Sequence, residues 1–332
     1  MKAYEINNFG DENVFQKVDI DIPKIKDYEV LVKVIATSVN PIDYKLRRGD
    51  APNFVKFPAI LHVDFSGEIV EIGTNVRKNF PEYKIGLKVY GLAGGILNKS
   101  GALAEYIAVN IFQIDLVPEN ISSIQIASVP LAALTAWECI LDRIKLKRNS
   151  KILIHGGAGS VGNFAIQFAK MKNAVVYTTV SSNEKLEIAK RAGADFVINY
   201  KLNSKEEYVR EYTDNNGFDF VIDTVGQENF YSAVYCTKFK GHIVSTLARN
   251  SFDLLESSSK GLNIHLVNVM IPLIKNLNLI QQNNNLKKIS NYLKNKKLLL
   301  NIDKKVFNFS EVSLAHKYAE SGSSLGKVCI KF

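Results

Sequence analysis

The chain has 332 residues, 46% hydrophobic and 23% charged with a formal net charge of +9, the balance of a folded globular protein with room for about two domains. No apolar run reaches the roughly 18 residues of a membrane-spanning helix, and the opening MKAYEINNFG lacks the apolar stretch of a signal peptide. Three widely spaced cysteines argue against a disulfide framework, so a reducing, cytoplasmic setting without a membrane partner is expected.

From residue 1 to about 120 the sequence reads as strands and turns. EVLVKVIATSV (29–39) is rich in β-branched residues, and FSGEIVEIG (65–73), LKVYGLAGG (87–95) and ALAEYIAVN (102–110) follow with glycines between them. The pattern changes near Ile121. SSIQIASVPLAALTAWECILDRI (122–144) reads as helix, a break at Pro130, then helix. Apolar strands then alternate with helical stretches: KILIH (151–155), AVVYTTV (174–180), DFVIN (195–199), FDFVID (218–223) and HIVSTL (242–247), with helices over 161–171, 184–192, 205–212 and 228–239. Near-continuous apolar strands between helices predict a doubly wound parallel sheet over 121–268. The remaining 269–332 starts as helix and ends in GKVCIKF, an edge-like strand. It is short for a domain of its own and is expected to return to the β-rich part, giving 1–120 plus 269–332 as one domain. In the lysine-dense stretch 283–305, Leu286, Ile289 and Leu293 repeat at helical spacing. That favours a helix with a solvated lysine face over a nucleic-acid patch.

Between the strand at 151–155 and the helix that follows stands HGGAGSVG. Gly157, Gly159 and Gly162 satisfy G-x-G-x-x-G in the strand–turn–helix setting of a dinucleotide-binding unit. Gly157 is expected to permit the tight turn, Gly159 the approach of a diphosphate, and Gly162 close packing of the helix. The backbone amides of Gly157, Ala158, Gly159, Ser160, Val161 and Gly162 would cradle the phosphates at the positive end of the helix. Two other functional readings fit less well. An esterase nucleophile at Ser160 needs glycine where Ala158 stands, and a P-loop needs Lys-Ser/Thr where Asn163 and Phe164 follow. A turn that merely packs tightly remains the plain alternative. The second strand ends in Val180, Ser181 and Ser182, where an NAD-specific site places an acid. Two hydroxyls and Lys185 would accept a 2′-phosphate, so NADP(H) is favoured, against a plain helix cap at Ser182 and a solvated lysine.

NPIDYKLRRG, FSGEIVEIGTNV, GALAEYIAV, PLAALTAWECI, IHGGAGSVG, EIAKRAGADFVINY and FDFVIDTVG occur in this order along the chain. With these motifs it resembles the medium-chain dehydrogenase/reductase superfamily, in its zinc-independent quinone oxidoreductase branch, the relatives of zeta-crystallin. The resemblance implies an α/β fold made of a GroES-like β-rich domain and a Rossmann domain, NADPH as cofactor, and a homodimer. It places Lys185 and Tyr200, beside Ser181 and Ser182, at the adenosine 2′-phosphate. Asn40 and Lys45 would lie near the nicotinamide and its ribose, with Thr135 at the nicotinamide side. Thr224, Val225, Gly226, Thr246 and Leu247 would lie where the cofactor crosses the sheet, and VNVM (267–270) would line an aliphatic substrate site. Lysine at position 45, as in the alkenal and enone reductases of this branch, tilts the expected electrophile from quinones toward α,β-unsaturated carbonyls.

Catalysis would then rest on positioning and on donors for a developing oxyanion: Lys45, ribose hydroxyls and backbone amides, with Asp43 and Asp64 as candidates to orient Asn40 or Lys45 and Tyr44, read as a strand-end residue, as a possible proton donor. Asn40 and Val63 stand where the zinc-dependent relatives place ligands, and the five histidines show no i, i+4 pair, so no metal is expected and His62 reads as a turn or packing residue. Two other functions share these features. One is a nucleotide-bound structural or RNA-binding protein of zeta-crystallin type, and the other is an enoyl-thioester reductase.

Overall fold

The computed structural model describes residues 1–246 and 251–332. Contacts divide the chain into two compact units, Met1–Leu134 with Met270–Phe332, and Thr135–Val269.

Among the described residues, the first unit is built on a seven-stranded sheet. Its central strand, Glu29–Ser38, alternates so that Val30, Val32 and Val34 face a core with Phe65, Ile69, Val89, Ile107 and Ile114. Each such buried side chain contributes roughly 1.5–3 kcal/mol. One edge of this strand is shared. Tyr106–Asn110 pairs with Glu29–Lys33, and Lys327–Lys331 pairs with Ala36–Ser38, both antiparallel. The other edge pairs with Asp64–Ile72. Lys327–Lys331 is flanked on its far side by Ile302–Asn308, so it is an interior strand and not an edge. That placement explains why Val328, Cys329 and Ile330 are all buried. The helix Ser123–Ile126 packs against Glu29–Ser38 and Asp64–Ile72, and Ser66 Oγ donates to the Ser123 carbonyl at 2.6 Å. Residues 121–134 therefore group with the β-rich unit. The lysine-dense helix Leu279–Lys294 buries Leu286, Ile289 and Leu293 and packs on Ile114–Leu116.

In the second unit, six described strands run parallel in the order Phe196–Asn199, Val175–Val180, Lys151–His155, Phe218–Asp223, Thr237–Ser245, Asn263–Leu266. In chain order this is 3-2-1-4-5-6, the doubly wound arrangement whose order reverses between Lys151–His155 and Phe218–Asp223. The helix Ser160–Met171 covers Lys151–His155 and Val175–Val180, and Asn229–Cys236 covers the strands on the other side of the reversal. The core joins Leu153, Tyr177, Phe218, Val221, Phe230 and Ile243. Thr237–Ser245 starts five residues before the predicted strand, in a stretch read as helix, because Thr237 Oγ1 caps the Ala233 carbonyl and ends the preceding helix at Cys236. No described helix is long and apolar enough to cross a membrane.

Candidate functional site

The glycine turn distributes its roles differently from the spacing rule. Gly156, outside the fingerprint, takes the left-handed backbone at φ +76°, which is where a residue without Cβ is needed for the turn. Gly157 instead makes room for a side chain: a Cβ there would lie 2.1 Å from Thr178 Oγ1. Gly162 lets the helix close onto the turn, since its Cβ would lie 2.3 Å from the Gly156 carbonyl oxygen. Gly159 is open by comparison, its nearest neighbour being the Gly156 oxygen at 3.2 Å. It is also the N-cap of the 12-residue helix Ser160–Met171 and offers no side chain to cap it. An uncapped first turn approached by an open glycine, with Ala158 and Val161 adding only backbone and small apolar groups, fits a bound diphosphate.

The carboxyl ends of the neighbouring strands are tied together beside this turn. His155, Asp223 and Ser245 are register partners. Asp223 Oδ1 accepts from the Val225 and Gly226 amides at 3.1 and 2.9 Å and from Asn229 Nδ2 at 2.8 Å, and its Oδ2 accepts from Ser245 Oγ at 3.1 Å. The Asn229 amide nitrogen also donates to His155 Nδ1 at 2.7 Å. Burial holds His155 neutral and lowers its pKa to about 4. Thr224 Oγ1 donates to the His155 carbonyl at 2.7 Å, and the Thr246 amide to the Asp223 carbonyl at 3.1 Å. Thr224, Val225, Gly226 and Thr246 thus sit in one fixed cluster, with Val225 exposed. Leu247 lies outside the described residues.

At the end of Val175–Val180, Ser182 accepts from the Lys185 amide at 3.4 Å and caps the helix Asn183–Arg191. Lys185 lies in the first turn of that helix, Ser181 precedes the cap, and Tyr200 is exposed. No carboxylate ends this strand, although Glu184 also bonds the Ser182 hydroxyl, which lowers its pKa.

In the first unit, Asn40 is the N-cap of the helix Pro41–Arg48. Proline at the first helical position and Asp43 two residues on, accepting from the Asn40 amide at 2.7 Å, set the helix start. Tyr44 and Lys45 therefore lie on a helix; the strand-end position read for Tyr44 is corrected by this start signal. Burial raises the Tyr44 pKa, and the Arg48 guanidinium lies 5.3 Å from its ring centroid. The Asn40 side chain hydrogen-bonds the Asp43 carboxyl at the helix start and also reaches beyond it. Its Nδ2 donates to Asp64 Oδ2 at 2.8 Å, and its Oδ1 accepts from Lys327 Nζ. Asp64, fully buried, also accepts from Ser38 Oγ at 2.9 Å and from the Leu131 amide at 2.8 Å. Asp43 Oδ1 is buried with no hydrogen-bond partner, and desolvation raises the Asp43 pKa to about 7. Thr135 is buried on the helix Pro130–Trp137.

Lys327, the His155–Asn229–Asp223 cluster and the pairing of the buried His62 with His316 were not singled out from sequence; His62 was read as a turn or packing residue, and it is buried at a left-handed backbone position. A lysine opening the strand KVCIK was the one local signal available. Among the described residues no three His, Cys, Asp or Glu side chains are grouped to hold a metal ion.

Residues 26–119 match the family described as alcohol dehydrogenase GroES-like domain, and residues 160–261 match the family described as zinc-binding dehydrogenase. The chain is similar to an NAD(P)H oxidoreductase RTN4IP1, mitochondrial, of Dictyostelium discoideum, at 31% identity over 99% of both chains. It is 31% identical to an NADPH-dependent alkenal/one oxidoreductase, chloroplastic, of Arabidopsis thaliana, over 99% of this chain and 79% of that one. Its structure is similar to that of the quinone oxidoreductase of Coxiella burnetii, with a TM-score of 0.84 at 31% identity, covering 100% of this chain and 99% of the other. The two-unit fold, the glycine turn and full-length similarity agree: the chain belongs to the medium-chain dehydrogenase/reductase superfamily, in its quinone and enone oxidoreductase branch.

Proposed function

We propose that the protein is an NADPH-dependent oxidoreductase that reduces quinones or α,β-unsaturated carbonyl compounds without a metal ion. The observation that carries this reading is the glycine turn: an open Gly159 precedes an uncapped helix, and the adjacent strand ends without a carboxylate. The backbone amides of 157–162 hold the diphosphate. Ser181, Ser182, Lys185 and Tyr200 hold the 2′-phosphate, a group that an acid in their place would repel. Thr135 and the cluster of Thr224, Val225, Gly226 and Thr246 fix the rest of the nucleotide. Similarity to the Dictyostelium NAD(P)H oxidoreductase and the Arabidopsis NADPH-dependent alkenal/one oxidoreductase supports the cofactor, and similarity to the latter supports the electrophile.

When bound, the cofactor supplies a hydride equivalent. The chain supplies alignment and hydrogen-bond donors to the oxygen on which negative charge develops. Asn40 and Lys45 are those donors on this reading, and Tyr44 is the proton source. Asparagine at 40 and valine at 63, where zinc-dependent relatives carry ligands, support the metal-free reading. Steady-state assays with NADPH and NADH against a quinone, an enone and an enoyl thioester, with and without chelator, test it. Turnover of quinone or enone with NADPH, unchanged by chelation, is the expected result. Activity lost to the chelator and restored by zinc, or turnover of thioester alone, overturns it.

A further inference from the structure

The first unit holds a cleft of about 370 Å³ between the segments 54–60 and 95–100. Backbone bonds fix the two segments against each other. The Leu97 amide donates to the Phe54 carbonyl at 2.8 Å, Val55 bridges Leu97, and the Gly101 amide donates to the Ile60 carbonyl at 2.9 Å. The turn 96–99 closes with the Lys99 amide on the Ile96 carbonyl at 3.1 Å, which returns Lys99 to the lining. Phe57 is braced edge-on by Phe9, with ring centroids 4.8 Å apart. The cleft is thus preformed.

Its lining is chemically of two kinds. Phe54 and Phe57, each 41% exposed, stand with Ile60 and Leu97 as an apolar wall open to water. Lys56 and Lys99 are the only charged residues that line it, and among the described residues neither has a carboxylate within ion-pair distance. Covering the two phenylalanines with an apolar body removes their surface from water. Two ammonium groups with no acid beside them favour an anion. A neutral apolar molecule would leave the lysines without a counter-charge, and inorganic phosphate would gain nothing from the phenylalanines. A single molecule meets both demands if it has an apolar chain and an anionic end, and the volume suits a small ligand. We infer that this cleft is a binding site for an aliphatic carboxylate, its chain on Phe54, Phe57, Ile60 and Leu97 and its carboxylate at Lys56 and Lys99. The inference stands apart from the redox reading, since it uses no residue of the nucleotide site.

The test is isothermal titration calorimetry of the full-length protein with octanoate and with octan-1-ol, which share the chain and differ in the charge. Octanoate is expected to bind at one molecule per chain and about threefold to thirtyfold tighter than the alcohol, the range for two solvent-exposed charge pairs. The preference shrinks as salt is raised. In Lys56→Gln/Lys99→Gln the acid binds no better than the alcohol. Phe54→Ala weakens acid and alcohol alike. Lys56 is exposed, Lys99 is partly exposed and neither side chain is bonded, so the double variant should melt with the parent. Equal affinity of acid and alcohol for the parent overturns the inference, as does an acid preference that survives in the double variant. If Phe54→Ala changes neither affinity, the chain does not lie in this cleft and the inference falls.

Discussion

His62 and His316 meet Nε2 to Nε2 at 2.8 Å in the buried interior of the first unit. Their tautomers follow from what surrounds them. Thr37 donates its hydroxyl to the Asp64 carbonyl at 2.6 Å, so it can only accept from His62 Nδ1, 3.0 Å away. His62 is thus the Nδ1–H form, its Nε2 accepts, and His316 donates from Nε2. The His316 Nδ1 then accepts from the Arg47 guanidinium at 3.4 Å, and Arg47 pairs with Glu320 at 2.7 Å. Hydrogen bonds all point one way from Arg47 to the backbone of Asp64.

Both rings are neutral for the same reason. Burial lowers the His62 pKa to about 3, and burial with the neighbouring imidazole and Arg47 lowers that of His316 well below its ordinary value. The unfolded chain takes up these protons near pH 6.5, so between there and the folded values it binds more protons than the native state. Stability therefore falls as pH drops below about 6.5, and His155 adds to the loss down to about pH 4. The check is ¹⁵N NMR of the imidazoles from pH 8 to 5. Both rings are expected to remain neutral in the tautomers given above for as long as the native fold persists.

Asp43 has the opposite slope. Its carboxyl is raised to about 7 by burial, so between about pH 4 and 7 the folded chain binds the extra proton and stability declines as pH rises through that window. Asp43→Asn keeps an acceptor for the Asn40 amide and removes the charge. It is expected to melt above the parent at pH 8, with a gap of about 1 kcal/mol or more that narrows by pH 5. Thermal melts at the two pH values measure it.

The two glycines of the turn separate binding from folding. Gly162→Ala drives a Cβ to 2.3 Å from a backbone oxygen, so it should lower the melting temperature sharply. Gly159→Ala meets nothing nearer than 3.2 Å and its φ of −70° suits alanine, so the fold should hold. NADPH affinity in Gly159→Ala should nevertheless fall by tenfold or more, as read by fluorescence titration, because the methyl group occupies the approach to the uncapped helix.

Lys185→Ala should weaken NADPH binding by roughly tenfold to a hundredfold, the range for one charge-assisted phosphate contact, and leave NADH affinity unchanged. Equal losses for both nucleotides would remove Lys185 from the 2′-phosphate site. Affinities measured at two salt concentrations add a check, since an ionic contact weakens as screening rises.

Most strands of the parallel sheet were legible because burial on both faces leaves runs such as KILIH and FDFVID with hardly a polar break. Asn263–Leu266 was missed because it is an edge strand, with Asn263 and Leu266 exposed, and its four residues carry neither alternation nor a continuous apolar run. The fingerprint spacing found the turn and expected Gly157 to permit it, whereas the left-handed backbone falls at Gly156, which G-x-G-x-x-G does not register. Asn40 could be picked out from its motif, but its partner Lys327 could not. Side chains brought together only by the tertiary fold leave no spacing between them in the sequence, and the same holds for His62 and His316.

The pairing of Lys327–Lys331 with Glu29–Ser38 bears on the order in which the polypeptide acquires structure. All six strands of the parallel sheet are translated before this strand is, so that sheet can assemble while synthesis continues. The Asn40 clamp cannot. Its ammonium is translated after the whole of that sheet, so nascent chains stalled after residue 269 would acquire the dinucleotide fold well before an oriented amide at position 40.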